Sequence, residues 1–128
     1  MKLLVETVIL GLPPTVNTMY RRAGKTVYKK PEVKAWQRDI STMLSLEKYN
    51  KTPYAGSVSL AIFCISPRYK SIDADNRIKA LQDCLAMAGI IEDDKQVTRV
   101  ECQKFPADID KKEKTQIMVW TMPEETEA

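Results

Sequence analysis

The sequence predicts a single α/β (α+β) domain, a mixed β-sheet carrying two helices in the order β-α-β-α-β-β. Three observations carry this. A chain of 128 residues suits one compact domain and is too short for two. Segments rich in β-formers recur between glycine, proline and polar breaks. Between them lie segments in which apolar residues return at helical rather than alternating spacing.

Lys2 to Leu10 is apolar and β-rich, and ends at Gly11. It contains Glu6 and no small-residue cleavage site, so it reads as a first strand and not as a signal peptide. The segment from Leu12 to about Lys30 is expected to be an irregular loop, opened by Pro13-Pro14 and interrupted by Gly24. A helix should begin at Pro31, a favoured first helical position, and end near Lys48. Its apolar stripe is Val33, Trp36, Ile40, Met43 and Leu44. A second strand, Ser57 to Ile65, puts Val58, Leu60, Ile62 and Cys64 on one face.

A second helix is expected from about Asp75 to Ala88, with Asp75 capping its free amides and Gly89 in the left-handed position beyond its end. Ile78, Leu81, Leu85 and Ala88 form its stripe. Val97 to Phe105 and Lys114 to Met122 read as two strands joined as an antiparallel hairpin. Trp36 and Trp120 are assigned to the core. The domain is expected to span 1–122, and the acidic tail 123–128 to be disordered.

Composition excludes several chemistries. The chain has no histidine, which removes Ser-His-Asp and Cys-His catalysis and histidine zinc sites. Its three cysteines, Cys64, Cys84 and Cys102, are odd in number and lack C-x-x-C spacing. They read as buried thiols in a reducing cytoplasm, not as disulfides or zinc ligands. No stretch is long enough to span a membrane. The charge of +3 is too mild to name a nucleic-acid partner by itself.

The informative segment is Asp73-Ala74-Asp75-Asn76-Arg77-Ile78-Lys79. Carboxylates two residues apart on extended chain point to the same side, where they repel unless a cation lies between them. Oxygen-only ligands suit Mg²⁺, with Mn²⁺ possible. A further acidic group, Glu92-Asp93-Asp94, follows the second helix and can return Asp94 to the first pair as a third ligand. Lys79 lies about 40° from Asp75 on a helix, so one face can present metal ligand and ammonium together. Asn76 and Asp83 share that polar side. This pairing suits phosphodiester hydrolysis. The plain alternative is a helix cap with a surface ion pair, and turn residues at Asp93 and Asp94. An EF-hand is excluded, because its pattern needs glycine at Ile78 and glutamate at Cys84.

Arg21, Arg22, Lys25, Lys29, Lys30 and Lys34 crowd between Tyr20 and Lys34, with Glu32 the one acid there. Arg68 and Lys70 can extend this surface. Such a segment, with Tyr20 and Tyr28 interleaved, can follow a phosphate backbone, or can simply be a solvated loop.

Three pieces resemble the RusA-type Holliday-junction resolvases, small bacterial and prophage endonucleases. They are Leu12-Pro13-Pro14-Thr15-Val16-Asn17-Thr18-Met19-Tyr20, Asp73-x-Asp75-Asn76-x-x-Lys79 and Gly89-x-x-x-Asp93-Asp94-x-Gln96-Val97. The resemblance covers nearly the whole chain. It implies a metal site of Asp73, Asp75 and Asp94, with Lys79 at the scissile phosphate. It also implies a cytoplasmic homodimer that cuts four-way DNA in recombination and repair. The family's arginine run before the first aspartate is reduced here to Arg68 and Lys70. Two other classes fit parts of the sequence: a nucleotide-sugar transferase using Asp73-x-Asp75, and a non-catalytic nucleic-acid-binding module.

Overall fold

The structure is a computed structural model that describes residues 1–123. Six strands and three helices follow in the order β1 (Leu3–Leu10), α1 (Val16–Met19), β2 (Tyr20–Ala23), β3 (Thr26–Lys29), α2 (Pro31–Glu47), β4 (Val58–Ile65), α3 (Ile78–Met87), β5 (Val97–Phe105) and β6 (Lys114–Thr121). Short 3₁₀ turns at Asp75–Arg77 and Asp94–Gln96 precede α3 and β5. The expected tail lies, apart from Pro123, outside the described residues.

The main sheet has the order β1-β6-β4-β5, with β4 and β5 parallel and the other pairs antiparallel. The mixed sheet with two long helices is the predicted class. β4 is central. Val58, Leu60, Ile62 and Cys64 are fully buried on one face, and join Ile117 and Val119 of β6 and Ile9 of β1. Ile40 and Leu44 of α2, and Leu81 and Leu85 of α3, cover that face, making a two-layer fold.

Burial pushes the thiols of Cys64 and Cys84 up to about 11. Cys102 is raised too, by burial and then by the nearby Asp75 carboxylate, but it is half-buried and not fully enclosed as expected. A thiol reagent at pH 8 should therefore modify Cys102 alone in the native protein, and all three thiols only after unfolding. Modification of Cys64 or Cys84 at the rate of Cys102 would contradict this packing.

Four expectations are corrected. β5 and β6 do not form a hairpin, because β4 lies between them and pairs with both. Eight apolar or small residues in β4 give a strand buried between two neighbours, and that central position outweighs the short connection. The segment after Leu12 is irregular only as far as Thr15. It holds the single turn α1 and then a β2–β3 ribbon, in which Ala23 pairs with Thr26 across Gly24-Lys25. Gly24 sits at φ +61, the requirement of a two-residue turn with glycine first. Asp75 does not cap α3. Trp120 faces the side of the sheet away from the helices, opposite Ser59, and is half-buried; Trp36 does pack against the core.

The end of α3 follows its expectation. Gly89 has φ +74, its N–H donates to Ala86 O, and Ile90 N–H donates to Leu85 O. That is a Schellman closure, and it turns the chain toward Asp94 with Ile90 and Leu85 both buried.

Candidate active site

From β4 the chain turns through Ser66–Ile72 and reaches Asp73 just before, and Asp75 at the head of, the 3₁₀ turn that leads into α3. Ile72 and Ala74 are buried while Asp73 and Asp75 are exposed. Both carboxylates face solvent, but by way of a turn and not of the extended chain expected, since Ala74 is helical at φ −72 and ψ −38 and Asp75 opens the 3₁₀ turn. Lys104 Nζ of β5 donates to Ile72 O at 3.1 Å and fixes the segment to the sheet. Asn76 Nδ2 donates to Asp73 Oδ2. Arg77 donates to Pro13 O and ties the Pro-Pro segment to the same turn.

Asp94 is held by a different device. The Asp93 carboxylate accepts the Lys95 N–H at 2.8 Å, and Gln96 Oε1 accepts the N–H groups of Glu92 and Asp93 at 2.7 and 2.9 Å. Gln96 Nε2 donates in turn to Tyr54 O and Gly56 O. Asp93 thus shapes the turn. Its carboxyl is held below the usual range, first by the Lys95 N–H.

Lys79 connects the two acidic segments. Its Nζ donates to Asp94 Oδ2 at 3.3 Å and to Asp83 Oδ1 at 2.8 Å. The ammonium is raised above its ordinary value, first by the hydrogen bond to Asp83. Burial alone would raise the Asp83 carboxyl. Hydrogen bonds from Lys79 and Gln37, with the charge of Lys29, overcome that and hold it below the ordinary value. Asp83 therefore stabilises the fold at neutral pH and loses that contribution as pH falls through its lowered value.

Among the described residues no three carboxylates or thiols approach closely enough to hold a metal ion. Asp94 is brought to the first turn of α3, but its side chain turns to Lys79, and that of Asp73 turns to Asn76. The donor set still fits a hard divalent ion, being all oxygen and solvent-accessible. An ion pair as exposed as Lys79–Asp94 contributes at most about 1 kcal/mol, so releasing Asp94 costs little.

The basic residues divide. Arg21, Arg22 and Lys25 stand exposed on the ribbon, with Arg21 opposite Tyr28. Lys30 is half-buried at the start of α2. Lys29 turns inward, to Gln37 Oε1 at 2.7 Å and Asp83 Oδ2 at 3.3 Å. Arg68 pairs with Glu113 at 2.9 Å, and Lys70 lies over the Tyr69 ring. The sequence reading does not single out Gln37, and it marks Gln96 only within the Gly89–Val97 motif, without a role. Gln37 carried a signal, a polar residue on the apolar stripe one turn from Val33 and Ile40.

The family model described as Endodeoxyribonuclease RusA matches residues 11–119. The chain belongs to the RusA family. It is similar to the crossover junction endodeoxyribonuclease rusA of Enterobacteria phage HK97, 30% identical over 91 residues that cover 69% of this chain and 72% of the relative. It is also similar to the crossover junction endodeoxyribonuclease RusA of Aquifex aeolicus (strain VF5), 31% identical over 102 residues, 78% of this chain and 79% of the relative. The RusA match includes the ribbon, Asp73, Asp75, Lys79 and Asp94.

Proposed function

We propose that this chain is a Holliday-junction resolvase, a divalent-metal-dependent endonuclease that acts as a homodimer on four-way DNA in recombination and repair. Membership of the RusA family supports the reading, together with the names of the relatives. The single observation that carries it is Lys79, whose ammonium joins Asp94 to the helix start that Asp73 and Asp75 lead into.

Asp73, Asp75 and Asp94 would hold Mg²⁺ or Mn²⁺, which when bound supplies Lewis acidity and a water of lowered pKa. The rest is the work of the chain. Lys79 offsets negative charge on the phosphoryl oxygens, where a fixed cation acts without reorganisation. Arg21, Arg22 and Lys25 bind phosphates along the ribbon, and Tyr28 offers a ring for an unpaired base. A four-way junction has two-fold symmetry, so a two-fold dimer places one site at each of two opposing strands.

Replacing Arg21 and Arg22 together by alanine should weaken junction binding and lower the slope of log affinity against log salt by about 2. An unaltered slope would show that the ribbon does not meet DNA. The function itself is tested with a synthetic four-way junction and a linear duplex of the same sequence. Paired nicks in the junction with Mg²⁺, none with chelator and none in the duplex are expected. A junction that is bound but never cut with either metal would overturn the reading in favour of a binding module.

A further inference from the structure

Asp83 and Gln37 form a network that the proposed reaction does not by itself require. Gln37 projects from α2 into the interior and is 1% exposed. Burying an amide costs free energy unless every polar atom is satisfied, and an apolar residue there would pack without that demand. All of its atoms are satisfied. Its Nε2 donates to Ala80 O at 3.0 Å and to Asp83 Oδ2 at 3.2 Å, and its Oε1 accepts from Lys29. Asp83 in turn divides its oxygens. Oδ2 accepts from Gln37 and Lys29, and Oδ1 accepts from Lys79. Partners on both oxygens, drawn from three elements, fix the carboxylate in one orientation.

Helix stability does not explain the arrangement. Lys79 and Asp83 are an i,i+4 pair in the weaker order, base before acid. The lysine also sits at the helix start, where the macrodipole disfavours a cation. What the pair does achieve is to aim one ammonium. Of the three N–H donors of Lys79, one goes to Asp83 and one to Asp94, which leaves one for a substrate oxygen. Lys29 is the last residue of β3, so the same carboxylate also anchors the ribbon that carries Arg21 and Arg22.

We propose that Asp83, seated by Gln37, is a positioning residue that holds the Lys79 ammonium at the active site and ties it to the ribbon through Lys29. The proposal rests on the resolvase reading for its consequence in cleavage, but not for the ordering of Lys79. The test therefore has two arms. Single-turnover junction cleavage at saturating protein compares the full-length chain with Asp83→Asn, Lys79→Ala and the double variant. Asp83→Asn should lower the rate about 10- to 100-fold, with junction affinity within about twofold of the parent. In the Lys79→Ala background it should add almost nothing, since a residue acting through another is non-additive with it. Equal losses in both backgrounds, or a parental rate, would overturn the proposal.

The second arm needs no substrate. In ¹⁵N-lysine NMR of the unaltered protein, the ammonium signal assigned by its loss in Lys79→Ala should be ordered and protected from exchange. A Lys79 ammonium exchanging as fast as that of Lys51, an exposed lysine in the connection between α2 and β4, would overturn the proposal, even if Asp83→Asn failed to fold. Absence of junction cleavage by the parent chain, with Lys79 ordered, would sink the resolvase reading and leave the positioning of Lys79 standing.

Discussion

Single replacement of Asp73, Asp75 or Asp94 by asparagine should lower junction cleavage at least about a thousandfold while the protein still binds the junction. Asparagine keeps the size of the side chain and a neutral oxygen, but loses the charge that attracts a divalent ion. Losing Lewis-acid stabilisation of several kcal/mol corresponds to a rate loss of that order. Binding should survive or tighten, because a carboxylate beside phosphate repels it. The substitutions should also spare the fold, since Asp73 and Asp75 are exposed and Asp94 is half-exposed. Single-turnover cleavage and gel-shift affinity on the same preparations check both halves. Parental cleavage in any of the three variants would remove that residue from the site.

The second large effect is expected at Lys79. Lys79→Ala should lower the cleavage rate by about 10² to 10³, the range for removing one fixed donor at a developing charge. Junction affinity should change far less, because one ammonium is a small part of the basic surface formed by Arg21, Arg22 and Lys25. Lys79→Arg should recover little. A guanidinium keeps the charge, but its planar fork does not reproduce a point ammonium held between Asp83 and Asp94. A normal rate in Lys79→Ala would deny it a part in the chemistry.

Much of this molecule can be read from its sequence, and the boundary follows the range of the interactions concerned. β1, α2, β4, β5 and β6 lie close to their expected limits, because each is set by local periodicity and local breaks. The Gly89 turn was readable for the same reason. Strand partners were not, since pairing depends on contacts distant in sequence. The continuous apolar run of β4 was the available hint that it needed a neighbour on each side. The β2–β3 ribbon was hidden by its charge, and Gly24-Lys25 between Arg21-Arg22-Ala23 and Thr26-Val27-Tyr28 was its turn signal.

The site shows the same division. Asp73 and Asp75 both face solvent, through a turn that the extended reading of their spacing did not foresee, and Asp94 comes back to Lys79 of α3 and not to the first pair. The hydrogen bonds among Gln37, Asp83 and Lys29 join α2, α3 and β3, so no spacing rule could have revealed them. The same geometry alters the reading of the basic residues. Lys29 serves the interior and Arg68 is paired with Glu113, while Arg21, Arg22 and Lys25 stand exposed on the ribbon.

Mn²⁺ binding to the intact protein, followed by electron paramagnetic resonance, tests most directly whether the separate acidic segments serve one ion. The parent chain should take up Mn²⁺ at a site that Mg²⁺ displaces. Each of Asp73→Asn, Asp75→Asn and Asp94→Asn should weaken it by at least tenfold, whereas Asp93→Asn should not. Unchanged Mn²⁺ affinity in Asp94→Asn would show that the turn before β5 contributes no ligand, and would contradict the account.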